Sequence, residues 1–177
     1  GVRFFYEWVR DHVGRWEYPK HVPVTPAEGP AIPAPTREFA IRDSTATLAG
    51  EPVKLFGLRC NNSLLSPATT ERLVNNLDNM AAHGINFLSV ALQGTNGGFP
   101  DVDAGPNAFT SDGHLIPAFG RRLERVIRAA DRRGMVVLVV LMMPRKDQLL
   151  RDEASVQRAI EESAAFLESH GLRNVLV

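Results

Sequence analysis

The chain has 177 residues, 44% of them hydrophobic, and its 20 basic side chains balance 20 acidic ones. This length and composition predict one folded domain or slightly more, and they exclude a disordered or fibrous chain. A formal net charge of zero gives no electrostatic support for binding nucleic acid or an anionic membrane surface. No apolar run approaches the roughly 20 residues of a membrane-spanning helix, so neither nucleic acid nor a membrane is a predicted partner.

The cysteine content and the two ends of the chain further limit the possible classes of protein. The single cysteine, Cys60, excludes an internal disulfide and a multi-cysteine metal site. The chain begins with Gly1 rather than Met, and it stops at Val177 inside an apolar run. We therefore expect a fragment of a longer protein. A secreted or periplasmic location would follow if an upstream signal had been removed.

The first 37 residues are predicted to form an extension ahead of the folded domain. Residues 1–20 contain both tryptophans and both tyrosines. Packing of a short amphipathic helix against the domain is the favoured interpretation, and an aromatic platform for a sugar or a partner is the alternative. Residues 21–37 contain five prolines, which indicates an extended connector. The domain is therefore predicted to cover residues 38–177.

The strongest structural signal in this domain is the run of nine apolar residues from Met135 to Met143. It lacks the alternation of a half-exposed strand and is too short to span a membrane as a helix, so it predicts a strand buried on both faces. Such a strand implies a parallel sheet flanked by helices. The full set of predicted strands is 38–41, 45–48, 52–60, 85–92, 135–143 and 174–177.

Three predicted helices alternate with the later strands, and each ends at a glycine followed by an apolar residue. These glycines are Gly84, Gly134 and Gly171, where a left-handed conformation lets the chain turn back to the sheet. Strand, helix, strand in this order requires parallel pairing with right-handed crossovers. The predicted class is therefore α/β, as an open doubly wound sheet or as a barrel. The apolar stripes of the helices are Leu73, Val74, Leu77, Met80 and Ala81, then Phe119, Leu123, Val126, Ile127 and Ala130, then Val156, Ala159, Ile160, Ser163 and Leu167.

Polar residues follow the predicted strands at their carboxyl ends, where ligands of parallel sheets bind. Amides both donate and accept hydrogen bonds, so amides beside arginine suit a neutral, hydroxyl-rich ligand. For Asn61 and Asn62 the competing interpretation is that they satisfy backbone groups of the loop. The predicted substrate-binding residues are Arg59, Asn61, Asn62, Gln93, Asn96, Arg145, Asp147 and Gln148.

No cofactor, metal or catalytic residue is predicted. Residues 93–98 are rich in glycine but lack the lysine and hydroxyl of a phosphate loop and the spacing of a dinucleotide fingerprint. The five histidines contain no pair with metal-helix spacing. Asp101 and Asp103 suggest calcium, but Gly105 and Pro106 break that ligand pattern. Glycoside cleavage needs two carboxylates across the scissile bond, and no convincing pair is present.

Several pieces of the sequence resemble cellulase-like glycoside hydrolases of the barrel superfamily that contains family five. The resemblance implies the N-terminal half of a TIM (β/α)8 barrel over residues 38–177. A small β-hairpin would precede four parallel strands and three helices. The pieces are Gly50-Glu51-Pro52-Val53 with Leu55 to Asn61, Met80 to Asn86, Asp112 to Leu115, Val126 to Met135 and Gly171 to Val177.

For function, the resemblance implies retaining hydrolysis of O-glycosidic bonds in a poly- or oligosaccharide. In that family the acid/base glutamate follows an asparagine at the end of the fourth strand, and the nucleophile is a glutamate on the seventh. Both would lie beyond Val177. The sequence departs from the family at Ser89, where an arginine is common, and at Met142 or Met143, where a histidine is common.

Two other readings stay open. The first is a non-catalytic barrel-like module that binds saccharide or protein. The second is a barrel enzyme for a phosphate-bearing substrate, which no phosphate motif supports. As a fragment, the chain is also predicted to expose the edge of its last strand, to self-associate or be poorly soluble, and to show no glycosidase turnover.

Overall fold

A computed structural model of the chain describes residues 33–94, 107–144 and 146–177. The predicted aromatic helix, most of the proline-rich connector and the core of the glycine-rich loop lie outside these residues. Pro33–Val177 form one compact unit. The boundary proposed between residues 37 and 38 stays a prediction.

A small antiparallel sheet opens the domain. It contains β1 (Phe39–Arg42), β2 (Thr45–Leu48) and β3 (Glu51–Pro52) in that order. Phe39 lies opposite Leu48, and both pack against Val136, at the start of a strand in the larger sheet. The small sheet therefore covers the amino-terminal end of the larger one, away from the predicted binding end.

The larger sheet has four parallel strands in chain order: β4 (Gly57–Arg59), β5 (Phe87–Ala91), β6 (Val136–Val140) and β7 (Val175–Leu176). Three helices connect them: α1 (Pro67–Ala82), α2 (Pro117–Asp131) and α3 (Glu153–Ser169). Neighbouring strands that keep their chain order across the whole sheet are typical of a barrel. In a doubly wound sheet, the spatial order of the strands reverses at one point. The predicted α/β class with four parallel strands and three helices is confirmed.

The local signals at the helix ends are also confirmed. Ser66 and Thr69 form a capping box at the start of α1, with Pro67 in the first turn. Asp152 caps α3 by accepting from the Ser155 backbone N–H at 2.8 Å. Gly84, Gly134 and Gly171 all have positive φ, between 61° and 79°. None of the helices among the described residues is long and apolar enough to cross a membrane.

The helix faces agree with the predicted stripes except at two positions. All five stripe residues of α2 are buried, as are Leu73, Val74 and Leu77 of α1. Ala81 of α1 is exposed, and Ile160 of α3 is 42% exposed.

The strand predicted over residues 52–60 is two separate strands. Residues 53–56 cross from the antiparallel to the parallel sheet between β3 and β4. Val53 N–H donates to the Ala46 carbonyl at 2.9 Å, whereas Phe56 N–H donates to the Asn86 side chain at 2.8 Å. Residues 53–56 are Val-Lys-Leu-Phe and contain no glycine, proline or other turn residue, so the sequence does not reveal the crossing. The strands predicted over 85–92 and 135–143 are shorter, since their pairing ends where Ala91 lies opposite Val140.

The segment before β1 is tied to the far end of the domain. The Thr36 hydroxyl accepts from the Arg173 backbone N–H at 2.6 Å, and the Thr36 N–H donates to the Gly171 carbonyl at 2.9 Å. Arg37 donates to the Asp131 carboxylate through its backbone at 3.0 Å and through Nε at 3.1 Å. Residues 36 and 37 therefore hold the ends of α2 and α3 against the small sheet.

Candidate functional site

The carboxyl ends of β4, β5 and β6 lie at one edge of the parallel sheet, and the predicted site residues that the structure describes follow these strand ends. Arg59, at the end of β4, lies in register with Ser89 of β5. Of the eight predicted binding residues, Asn96 and Arg145 lie outside the described residues. Gln148 is exposed in the short 3-10 helix Asp147–Leu149, and the side chain of Asp147 is outside the description.

At the end of β4, one hydrogen-bonded set joins an amide, a hydroxyl and a guanidinium. The Asn61 amide nitrogen donates to Ser89 Oγ at 2.8 Å, and its oxygen accepts from Arg59 Nε at 2.9 Å and Nη2 at 3.2 Å. This orientation satisfies both ends of an amide that is only 7% exposed. Asn61 thus fixes the direction of the Arg59 side chain, and Ser89 supports it from the next strand.

Gln93, just after β5, binds two other segments of the protein. Its side chain is fully buried. Nε2 donates to Asn107 Oδ1 at 3.3 Å and to the Lys146 carbonyl at 3.2 Å, and Oε1 accepts from the Met143 N–H at 2.8 Å. This amide therefore positions the segment after β6, which carries further predicted site residues, against the segment that leads into α2.

A cleft of about 510 Å³ opens beside β4, between that strand, the 3-10 helix Asn61–Leu64 and α1. Its volume falls in the range of about 300–1,000 Å³ that is usual for small-ligand sites. None of the described residues that line it is an aspartate or a glutamate. Its polar lining includes Arg59, Asn61, Asn62, Ser63, Arg72 and Asn76.

Two lining residues of this cleft have unusual polar groups. Burial raises the pKa of the Cys60 thiol, so Cys60 is protonated near neutral pH and is a poor nucleophile. Ser63 is 8% exposed, and its Oγ is a buried atom with no hydrogen-bond partner in the described structure. Neither feature follows from the sequence, because the burial of Ser63 and the partial burial of Cys60 depend on α1 packing over the end of β4.

Carboxylates near the binding end hold a turn against α3. Glu162 accepts from the Leu115 N–H at 2.8 Å and lies 2.6 Å from His114 Nδ1, and Asp112 accepts from the Thr110 hydroxyl at 2.5 Å. The Leu115 hydrogen bond lowers the pKa of Glu162, and the Thr110 hydrogen bond lowers that of Asp112. A general acid needs a raised pKa, so these two carboxylates are suited to structure rather than to proton donation.

No metal-binding cluster is found among the described residues. Across residues 33–94, 107–144 and 146–177, no group of three or more His, Cys, Asp or Glu side chains is arranged to hold an ion.

Comparison with known proteins shows which solved structures have a similar fold. No family model and no curated protein sequence matches the chain. A solved glycoside hydrolase family 5 structure from Bacteroides vulgatus matches 81% of this chain at a TM-score of 0.53 and 16% identity. A second structure, described as a glycoside hydrolase, matches 78% of the chain at a TM-score of 0.54 and 14% identity. The fold is glycoside hydrolase family 5-like.

The chain spans about a third of each matched protein, 34% and 33% respectively. Within the glycoside hydrolase family 5-like fold, β4 to β7 are four successive parallel strands. Arg59, Asn61 and Gln148 lie at their carboxyl ends, the face at which barrel enzymes bind ligands.

Proposed function

We propose that the chain is part of a carbohydrate-active enzyme that hydrolyses O-glycosidic bonds in a poly- or oligosaccharide. The observation that carries the proposal is the set formed by Arg59, Asn61 and Ser89 at the carboxyl end of the sheet. Guanidinium, amide and hydroxyl groups held in place by one another suit the hydroxyl groups of a sugar. The glycoside hydrolase family 5-like fold supports the same conclusion.

The proposed mechanism is retaining. One carboxylate attacks the sugar and a second protonates the leaving oxygen, the two lying about 5–5.5 Å apart. We assign both roles to glutamates outside this chain, because Asp112 and Glu162 are engaged in holding the turn before α2. The chain contributes one wall of the substrate cleft.

Two measurements test this function. The parent reading frame is expected to continue almost directly from Val177 into Asn-Glu, and a different pair there would remove the acid/base assignment. The longer protein should then release reducing sugar from a β-linked polysaccharide. Changing that glutamate to glutamine should lower the rate by about 10³-fold or more. The chain of 177 residues alone should show no turnover; glycoside hydrolysis by it would overturn the assignment of the catalytic groups.

One observation favours a second function, a non-catalytic module that binds saccharide or protein. The cleft beside β4 contains polar groups for binding but none of its described lining residues is a carboxylate. Binding of glycans by such a module would survive loss of any downstream glutamate. It would weaken when Trp8 and Trp16 are changed to alanine, which an enzyme with its substrate at the strand ends does not require.

A further inference from the structure

We propose that the cleft beside β4 binds a hexuronate unit, an acidic sugar whose carboxylate pairs with the guanidinium groups of Arg59 and Arg72. This inference rests on the proposed carbohydrate function and adds to it the charge of the ligand and the residues that recognise it. The sequence alone predicted a neutral ligand at this end of the sheet.

The cleft is positively charged. Arg59 and Arg72 both line it, and no described lining residue is acidic. Within the described part of the chain, neither guanidinium forms an ion pair, and Arg59 is bonded only to the neutral amide of Asn61. Two uncompensated guanidinium groups in one concave site favour an anion, and their planar donors fit a carboxylate.

Two arginines elsewhere on the same helical layer are paired with carboxylates. Arg125 donates to Glu71 of α1 at 3.0 Å, and Arg133 donates to Asp78 of α1 at 2.6 Å. The side of α1 that faces α2 therefore carries paired charges. The side that faces the cleft carries Arg72, which has no carboxylate partner among the described residues. The cleft therefore carries unpaired positive charge in a chain with no net charge.

The Ser63 hydroxyl is independent support for a ligand in this cleft. Ser63 is one of the lining residues, is 8% exposed and leaves its Oγ without a protein partner in the described structure. Its carbonyl is satisfied, because the hydroxyls of Thr69 and Thr70 donate to it at 3.1 Å and 2.8 Å. A buried hydroxyl without a partner destabilises the free protein. Because this Oγ is buried in the free protein, we infer that ligand binding turns the Ser63 side chain into the cleft, where a hydroxyl of the sugar satisfies it.

The shape and the remaining walls agree with a sugar rather than a bare anion. The cleft of about 510 Å³ has room for a pyranose ring. Leu73 and Met80 supply apolar surface on the α1 side, against which the C–H face of a ring can pack. Arginines for the carboxylate, a hydroxyl for the ring substituents and an apolar wall together define a hexuronate site.

Calorimetric titration of the whole chain tests the proposal with three probes: D-glucuronate, D-glucose and acetate. Glucuronate should bind about tenfold more tightly than either glucose or acetate, because only it offers both the carboxylate and the ring. Added salt should weaken glucuronate binding. Equal affinity for acetate and glucuronate would leave only an anion site and overturn the proposal, as would equal affinity for glucose and glucuronate.

Matched variants locate the site. Arg72→Gln should weaken glucuronate binding about fivefold or more and leave the weak binding of glucose unchanged. Arg121→Gln removes the same charge from an exposed position of α2 outside the cleft, and it should have no effect. Equal effects of the two variants would mean that net charge alone governs binding, which contradicts the proposal.

Ser63→Ala separates a ligand-binding hydroxyl from a merely buried one. The variant should raise the Tm of the free protein, because it removes an unsatisfied polar atom, and it should also lower glucuronate affinity. A higher Tm with unchanged affinity would refute the role of this hydroxyl. The test is independent of catalysis. If the longer protein cleaves neutral glycosides but the chain does not prefer glucuronate, only this inference fails. If the chain binds glucuronate but the longer protein cleaves no glycoside, the proposed hydrolase fails.

Discussion

Gly113 shows how one residue sets the path of a loop at the binding end. It has φ of +91°, and a Cβ at this position would collide with the backbone carbonyl of Ser155 in α3. Both the left-handed backbone and the close approach require glycine. The turn at 110–114 can therefore lie directly on the first turn of α3.

We predict that Gly113→Ala destabilises the protein by about 2 kcal/mol or more, because the cost of backbone strain adds to the cost of a clash with main-chain atoms. Gly50→Ala is the matched control: its φ is +85°, but no atom lies within 4 Å of the added Cβ. Urea unfolding of both variants measures the clash as the difference between them. Equal losses would mean that Gly113 matters only for its backbone conformation.

Gln93 is a second residue whose effect reaches beyond its own position. Gln93→Glu keeps the shape but replaces the Nε2 donor with an oxygen that faces two acceptors, Asn107 Oδ1 and the Lys146 carbonyl. We predict a loss of about 2–3 kcal/mol, the cost of a buried polar group facing the wrong partner. Gln148→Glu makes the same change at an exposed position and should cost almost nothing. Thermal unfolding compares the two, and similar Tm values would contradict the positioning role of Gln93.

Among elements, α3 is the one whose stability should depend most clearly on pH. The pKa of its capping residue Asp152 is lowered to about 2, first by the Ser155 hydroxyl, then by the Ser155 backbone N–H and by Arg151. A carboxylate whose pKa is lowered by folding stabilises the folded state at pH values above its ordinary pKa, which is 3.8 for Asp152. The contribution is lost as the pH falls toward about 2.

We predict that Asp152→Asn is less stable than the wild type at neutral pH and that the difference shrinks between pH 4 and pH 2. Asparagine still caps the helix but has no charge to lose. Thermal unfolding in steps of pH measures this difference. A gap between the two proteins that stays constant down to pH 2 would show that the charge of Asp152 contributes nothing.

Elements were more predictable from the sequence than contacts. Helix signals such as Ser66-Pro67, Asp152 and the terminal glycines are local, so they predicted α1 to α3 correctly. The crossing at residues 53–56 was missed because these residues include no turn signal that would mark the change of sheet. For the site, position at the strand ends was predictable. The roles of Asn61 and Gln93 were not, because their partners Ser89 and Lys146 lie 28 and 53 residues away.

At the scale of the whole molecule, the outer edge of β4 pairs with no strand among the described residues. Large apolar side chains accompany this edge: Phe56 is 62% exposed and Leu58 is 45% exposed. Unpaired backbone groups beside apolar surface favour association with another chain.

We predict that the chain self-associates at micromolar concentrations and that Leu58→Lys reduces the association. A lysine on an edge strand disfavours pairing between chains. Ile41→Lys changes a residue that is 63% exposed in the small sheet and should leave association unchanged. Sedimentation velocity over a concentration series measures both variants. A wild-type chain that stays monomeric throughout would contradict the prediction.

The attachment of Thr36 to the end of α3 has a consequence for the time course of folding. The Thr36 hydroxyl donates to the Gly171 carbonyl across 135 residues of sequence, so this contact needs a very long loop to close. Contacts of such separation form slowly, since the entropy of closure is lost before the contact is gained. We expect the strands and helices to assemble first, with the small sheet docking last. On a ribosome, the first strands of the domain would wait for nearly all of it to emerge.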